Sequence, residues 1–202
     1  MERKYKKSQA SMLDILLIWL YLPLPLILFG GVAGLMVLVY LAGVHFINAK
    51  NYLVFPKEIF IAFLYVIGIW GGPMFLTHDY KKGIFPMIGF FLITLSNLFI
   101  YSYLEKEQDS IDGQISIFAP NEKERDMHFL FGWIILSLLY TLIISITLEI
   151  QSATFYCMMI FIVMLISQFY LVYKSSWVSI NNRYRWMNEG VFLLPALMLF
   201  YS

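Results

Sequence analysis

The chain has 202 residues, of which 60% are hydrophobic and only 13% charged, with a formal net charge of +1 at pH 7. Soluble globular domains carry about 25% charged residues, so an ordinary water-soluble domain is excluded and an integral membrane protein is expected. The length suits one helical domain over residues 1–202, and no nucleic-acid partner is expected.

The N-terminus is basic, with Arg3, Lys4, Lys6 and Lys7. The apolar stretch that follows is far longer than a signal peptide's, so no cleaved leader is expected. A membrane-spanning helix needs about 20 apolar residues. The runs that qualify or nearly qualify are Met12–Phe29, Val32–Ile47, Glu58–Leu76, Ile84–Leu104, His128–Leu148, Ala153–Tyr173 and Glu189–Tyr201. Met12–Ile47 is almost uninterrupted but too long for one crossing at 1.5 Å per residue. The expected break lies at Gly30-Gly31, after Pro23 and Pro25 have disturbed the first helix. Lipid-exposed backbone must satisfy its hydrogen bonds within each segment, which excludes strands. The expected fold is therefore an all-α, polytopic transmembrane bundle of about seven helices.

The basic residues support that count. With seven crossings and a cytoplasmic N-terminus, the inner segments hold Arg3, Lys4, Lys6, Lys7, Lys50, Lys57, Lys106, Lys123, Arg125, Lys174, Arg183 and Arg185. The outer segments hold only Lys81 and Lys82. Fusing the first two runs would leave six on one side and eight on the other, so the positive-inside rule favours the split. The C-terminus is then external and the membrane is expected to be the plasma (inner) membrane.

The third run is interrupted by Gly68-Ile69-Trp70-Gly71-Gly72-Pro73, which permits close packing or lines a cavity. Lys57 sits at the start of that run, placed either to bind a phosphate or to snorkel to the interface. The fourth run ends in a burst of carboxylates, Glu105-Lys106-Glu107-Gln108-Asp109-Ser110-Ile111-Asp112. If the helix continues, Asn97, Tyr101, Glu105, Asp109 and Asp112 fall at i, i+4, i+8, i+12 and i+15 and share one face. Ionisable side chains at a membrane helix mouth are costly and mark functional sites, although a solvated helix end also collects charge. Mg²⁺ takes oxygen ligands of this kind, commonly one or two carboxylates completed by substrate phosphates.

The loop from Glu105 to Met127 is the longest, with turns expected at Asp112-Gly113 and Ala119-Pro120-Asn121. Glu122, Glu124 and Asp126 then open the next helix, where negative charge suits the dipole. His45, His78 and His128 have no metal spacing and are read as interfacial. Cys157 is alone in an apolar run, so no intrachain disulfide forms. The segment Arg183-Tyr184-Arg185-Trp186-Met187-Asn188-Glu189-Gly190 mixes basic and aromatic residues, as an interfacial belt does.

This order of features resembles the UbiA superfamily of intramembrane prenyltransferases. The carboxylate motif after a helix bearing Asn97 looks like that family's second Asp-rich motif. Phe55-Pro56-Lys57-Glu58 leading to Gly68-Ile69-Trp70 looks like its central helix, and Arg185 to Pro195 like its last. The resemblance implies a match to the third through ninth of the family's nine helices. It implies prenyl-diphosphate binding with Mg²⁺ on Glu105, Asp109 and Asp112. Asn97, Tyr101, Lys57, Lys106 and Lys123 would contact substrate, and the prenyl group would pass to an acceptor. Glu105 stands where the family has Asp, and Asp109 and Asp112 are three apart rather than four. The family's first two helices and first Asp-rich motif have no counterpart, so a second chain would have to supply them. Besides the membrane lipid, a prenyl diphosphate and that chain are the expected partners. A non-catalytic membrane protein on the same fold and a small transporter are the other readings; few ionisable residues lie inside the spans, which disfavours an ion path.

Overall fold

The computed structural model describes residues 23–46, 57–77, 80–111, 117–118, 122–149, 152–179 and 183–196. Among these residues the chain is helical and contains no strand. Among the described residues, five helices are long and apolar enough to cross a membrane: Leu24–Gly43, Lys57–Met74, Gly83–Ile111, Lys123–Thr147 and Ala153–Tyr173.

The first helix, α1 (Leu24–Phe46), runs unbroken through Gly30 and Gly31. The expected break there is thus corrected. In an apolar surround an interrupted backbone would leave N–H and C=O groups without partners, and this cost outweighs the weak helix propensity of glycine. Pro25 is tolerated because it lies in the first turn, where no donor is needed. The Pro23 carbonyl accepts from Leu26 N and Ile27 N there, at 2.9 and 3.2 Å. The first part of the predicted first span, residues 12–22, lies outside the described residues.

The next span is composite: α2 (Lys57–Val66), a π-helical turn (Ile67–Gly71) and α3 (Gly72–Thr77). The predicted interruption at residues 68–73 thus takes the form of one wide turn before Pro73, not a gap. Helix α1 seats against this span through Tyr40 stacked on Phe60 at 5.0 Å. Higher up, a Cβ on Gly71 would run into the Phe29 ring, so only glycine admits that ring.

Helix α4 (Tyr80–Ile111) has 32 residues and carries Pro86. It continues through the carboxylates to Ile111, so the predicted long loop begins later than Glu105. Helix α5 (Lys123–Thr147) follows, then α6 (Ala153–Tyr173), whose first turn is capped by Ser152 Oγ accepting from Phe155 N at 3.1 Å. A short α7 (Ser175–Val178) leads to α8 (Arg183–Val191). The predicted span Glu189–Tyr201 is not a continuous helix. It begins earlier, at Arg183, and stops at Val191, where the ring of Pro195 would clash with the carbonyl four residues before it. Residues 197–202 lie outside the described part.

Helix α4 is central, packed against α2, α5 and α6. Ile93 and Ile100 of α4, Leu130 and Ile134 of α5, and Met158, Met164 and Leu165 of α6 are fully buried. The faces meet closely. A Cβ on Gly89 would lie 3.0 Å from the Phe161 ring. On α5, Ser137, Thr141 and Ser145 are buried at four-residue spacing, and each hydroxyl donates to the carbonyl four residues back. Small side chains satisfied within their own helix let neighbouring backbones approach in lipid.

Gly89→Leu is expected to destabilise the bundle by about 1–3 kcal/mol through overpacking. Gly30→Leu, where no atom lies within 4 Å of the added carbon, should change stability by less than about 0.5 kcal/mol. Thermal unfolding in detergent compares the two.

Candidate functional site

One end of the bundle is polar. Helix α4 leaves the apolar layer there, and side chains on its last turns reach three different helices. Ser102 Oγ donates to Glu58 Oε1 at 3.0 Å, and Glu58 is only 3% exposed. Asp109 Oδ2 faces Lys57 Nζ at 3.8 Å. These two contacts tie the start of α2 to α4.

Glu105 turns to α8. Its Oε1 accepts from Tyr184 Oη at 2.8 Å, Arg185 Nη2 at 2.7 Å and Arg185 Nε at 3.1 Å. Burial, with the Glu105 oxygen accepting its proton, pushes the Tyr184 phenol above its ordinary pKa, so it stays a neutral donor throughout the physiological range. One turn back on α4, Tyr101 Oη donates to the Arg185 carbonyl at 3.3 Å, and its ring meets that of Tyr184 edge-on at 5.8 Å. Another turn back, Asn97 is half-buried and its Oδ1 is buried without a hydrogen-bond partner.

The four-residue spacing read from the sequence therefore becomes a physical file: Asn97, Tyr101, Glu105 and Asp109 occupy successive turns of α4. Lys57 and Arg185 flank its outer end. Deeper in the bundle, the rings of Tyr65, Phe90 and Phe192 pack on one another at 6.0–6.2 Å from α2, α4 and the turn after α8.

Lys106 does not join this file. Its Nζ pairs with Asp126 Oδ2 of α5 at 2.8 Å, with both side chains buried, and it lies 4.9 Å from the centre of the Tyr103 ring. It serves the α4–α5 contact, so it is separated from the carboxylate face it was expected to serve. Lys123 is exposed at the start of α5. Asp112 lies outside the described residues.

All three donors to Glu105 converge on Oε1, and Lys57 approaches Asp109 at Oδ2. The other carboxylate oxygen of each residue carries none of these contacts. Two such oxygens on adjacent turns fit the protein's share of a Mg²⁺ site completed by phosphate oxygens. They do not make a protein-only site: among the described residues there is no group of three His, Cys, Asp or Glu placed to hold a metal ion.

Sequence reasoning missed Asp126, Glu58 and the Tyr184–Arg185 pair as structural partners. Asp126 had a legible signal, because it extends the buried face of Leu130 and Ile134 by one turn at the same spacing. Tyr184 and Asn188 likewise share a four-residue spacing on α8 and are both buried. No family model, curated protein or solved structure matches the chain.

Lys106→Met would remove the close, buried partner of Asp126 and leave only the exposed Arg125, 3.8 Å from its other oxygen. The expected loss is about 3–5 kcal/mol, whereas replacing both partners by apolar residues, in Lys106→Met with Asp126→Leu, recovers most of it. Chemical unfolding of the two variants in micelles measures the difference.

Proposed function

We propose that this protein binds a prenyl diphosphate at the polar end of its bundle, together with Mg²⁺, and passes the prenyl group to an acceptor as UbiA-type prenyltransferases do. The observation that carries the reading is the file of Asn97, Tyr101, Glu105 and Asp109 flanked by Lys57 and Arg185, set at the mouth of an apolar helical bundle. Glu105 and Asp109 would hold the metal through the carboxylate oxygens that the local cations leave open. Bound Mg²⁺ supplies charge neutralisation of the departing diphosphate. Lys57 and Arg185 swing from their carboxylates to the phosphate oxygens, a charge-assisted exchange that suits Arg best. Tyr65, Phe90 and Phe192 give the isoprenoid tail an apolar surround that excludes water. A second chain that brings further carboxylates would complete the metal site.

The positive-inside rule places this polar end in the cytoplasm. Lys57, Lys106, Lys123, Arg125, Lys174, Arg183 and Arg185 belong to it, against Lys81 and Lys82 at the other. This bias suits an inner (plasma) membrane; with α1 a single crossing, a cytoplasmic N-terminus would need one more crossing before Leu24. Reporter fusions after Gly113 are expected to read inside and fusions after Lys82 outside; the opposite pattern overturns the orientation.

One observation favours a non-catalytic reading: Glu105 and Asp109 each already face a cation of this chain. The two readings separate in one experiment on the purified protein in detergent. Farnesyl diphosphate with Mg²⁺ should raise the unfolding midpoint, and the Mg²⁺-dependent part should vanish in Asp109→Asn. A wild type that shows no Mg²⁺-dependent rise removes the diphosphate reading altogether. Stabilisation without release of inorganic diphosphate in the presence of acceptor leaves a binding protein.

A further inference from the structure

Below the ion pairs the bundle holds a second polar layer, and this one is uncharged. Gln168 of α6 and Asn188 of α8 are both 0% exposed. Gln168 Nε2 donates to the Ile93 carbonyl at 3.2 Å. Its Oε1 has no hydrogen-bond partner, nor have Oδ1 and Nδ2 of Asn188, nor the buried Oδ1 of Asn97.

The three amides lie at one depth. Gln168 grips α4 at Ile93, one turn before Asn97. Asn188 comes one turn after Tyr184, whose ring meets Tyr101, and one turn before Phe192, whose ring meets Phe90. Asn188 is therefore bracketed against residues 90–101 of α4, the stretch that carries Asn97. An unpaired amide is costly in a low-dielectric interior, and a bilayer offers no substitute partner. Leucine or methionine at these positions would avoid that cost, so three retained amides point to a ligand group that satisfies them.

We propose that Asn97, Gln168 and Asn188 form a buried subsite for the hydroxyl group of an uncharged, membrane-borne amphiphile. The orphan set has three acceptor oxygens and one donor, which calls for a group that donates as well as accepts; a hydroxyl does both. The three side chains carry no charge. Glu189, beside Asn188, is exposed, and Glu105, two turns from Asn97, is held by Arg185 and Tyr184. The amides themselves therefore offer a charged headgroup no counter-ion. Met164 and Leu165 lie on α6 one turn before Gln168 and Val191 on α8 one turn after Asn188, all buried, so the body of the ligand is apolar. This subsite does not depend on diphosphate binding above it.

The test uses the full chain in maltoside micelles with 1-dodecanol as the probe and dodecane as the control. The wild type should gain several degrees in unfolding midpoint from the alcohol beyond its gain from the alkane. Asn188→Leu and Gln168→Met should start from a higher midpoint and lose that increment. Equal effects of alcohol and alkane on the wild type overturn the proposal. So does an increment that the variants keep, which would mark a general micelle effect. Should neither variant fold, the side-chain amide NMR resonances of Gln168 and Asn188 in the wild type decide. They shift with dodecanol alone if the subsite exists, and unmoved resonances overturn it.

Discussion

The excess length of α4 organises this molecule. Its 32 residues span about 48 Å at 1.5 Å per residue, against a hydrocarbon layer about 30 Å thick. The surplus carries the helix past the apolar layer while it is still surrounded by its neighbours. Successive residues on a helix differ by about 100° in direction, so adjacent side chains serve different partners. Glu105 reaches α8, Lys106 reaches α5, and Ser102 and Asp109 reach α2. Three helices thus take their register from one. These contacts differ in strength. Lys57 is 37% exposed and 3.8 Å from Asp109, a geometry that contributes little. The buried Lys106–Asp126 pair gives little net stability over an apolar pair, but it strongly penalises any arrangement that separates its partners.

Much of this architecture was legible. Composition dictated a membrane bundle, and the four-residue spacing from Asn97 to Asp109 fixed a common face once the helix continued. The failures have physical causes. Gly30-Gly31 read as a break because glycine weakens helices in water; in lipid the backbone has nowhere else to bond. The last predicted span failed at Val191 because hydropathy does not register the clash that Pro195 imposes. Lys106 was grouped with its sequence neighbours, yet a lysine one residue from a carboxylate points to another face. Asp126 was read only as a complement to a helix dipole; that its side chain turns inward depends on where α4 ends, which lies 15 residues upstream at Ile111.

The pairing of each carboxylate with a cation bears on the chemistry. A bare pair of carboxylates one turn apart would repel and would bind a divalent ion in the absence of substrate. Here Arg185 and Lys57 suppress that repulsion, so under the function proposed above a metal would have to displace or outcompete charges that the protein itself supplies. On the same proposal, a diphosphate would change the balance, because it would offer those cations a stronger acceptor and give Mg²⁺ additional oxygens at once. Metal and anion are then expected to bind together far better than either alone. Such coupling follows from the charges in place and needs no conformational change beyond two long side chains.

The polar groups are also ordered by depth. Charged side chains occupy the last turns of α4 and the starts of α2, α5 and α8, where water and headgroups lower the cost of a charge. Uncharged amides lie one to two turns deeper, at Asn97, Gln168 and Asn188. Below them come the aromatic rings of Phe90, Tyr65 and Phe192. Desolvation cost rises along this path, and the polarity of the residues falls with it. A ligand with a charged head, a small uncharged polar group and an apolar tail would meet matching chemistry at each level. Ligands that carry only one of these features would engage one level and leave the others unsatisfied, so the graded lining itself discriminates among amphiphiles.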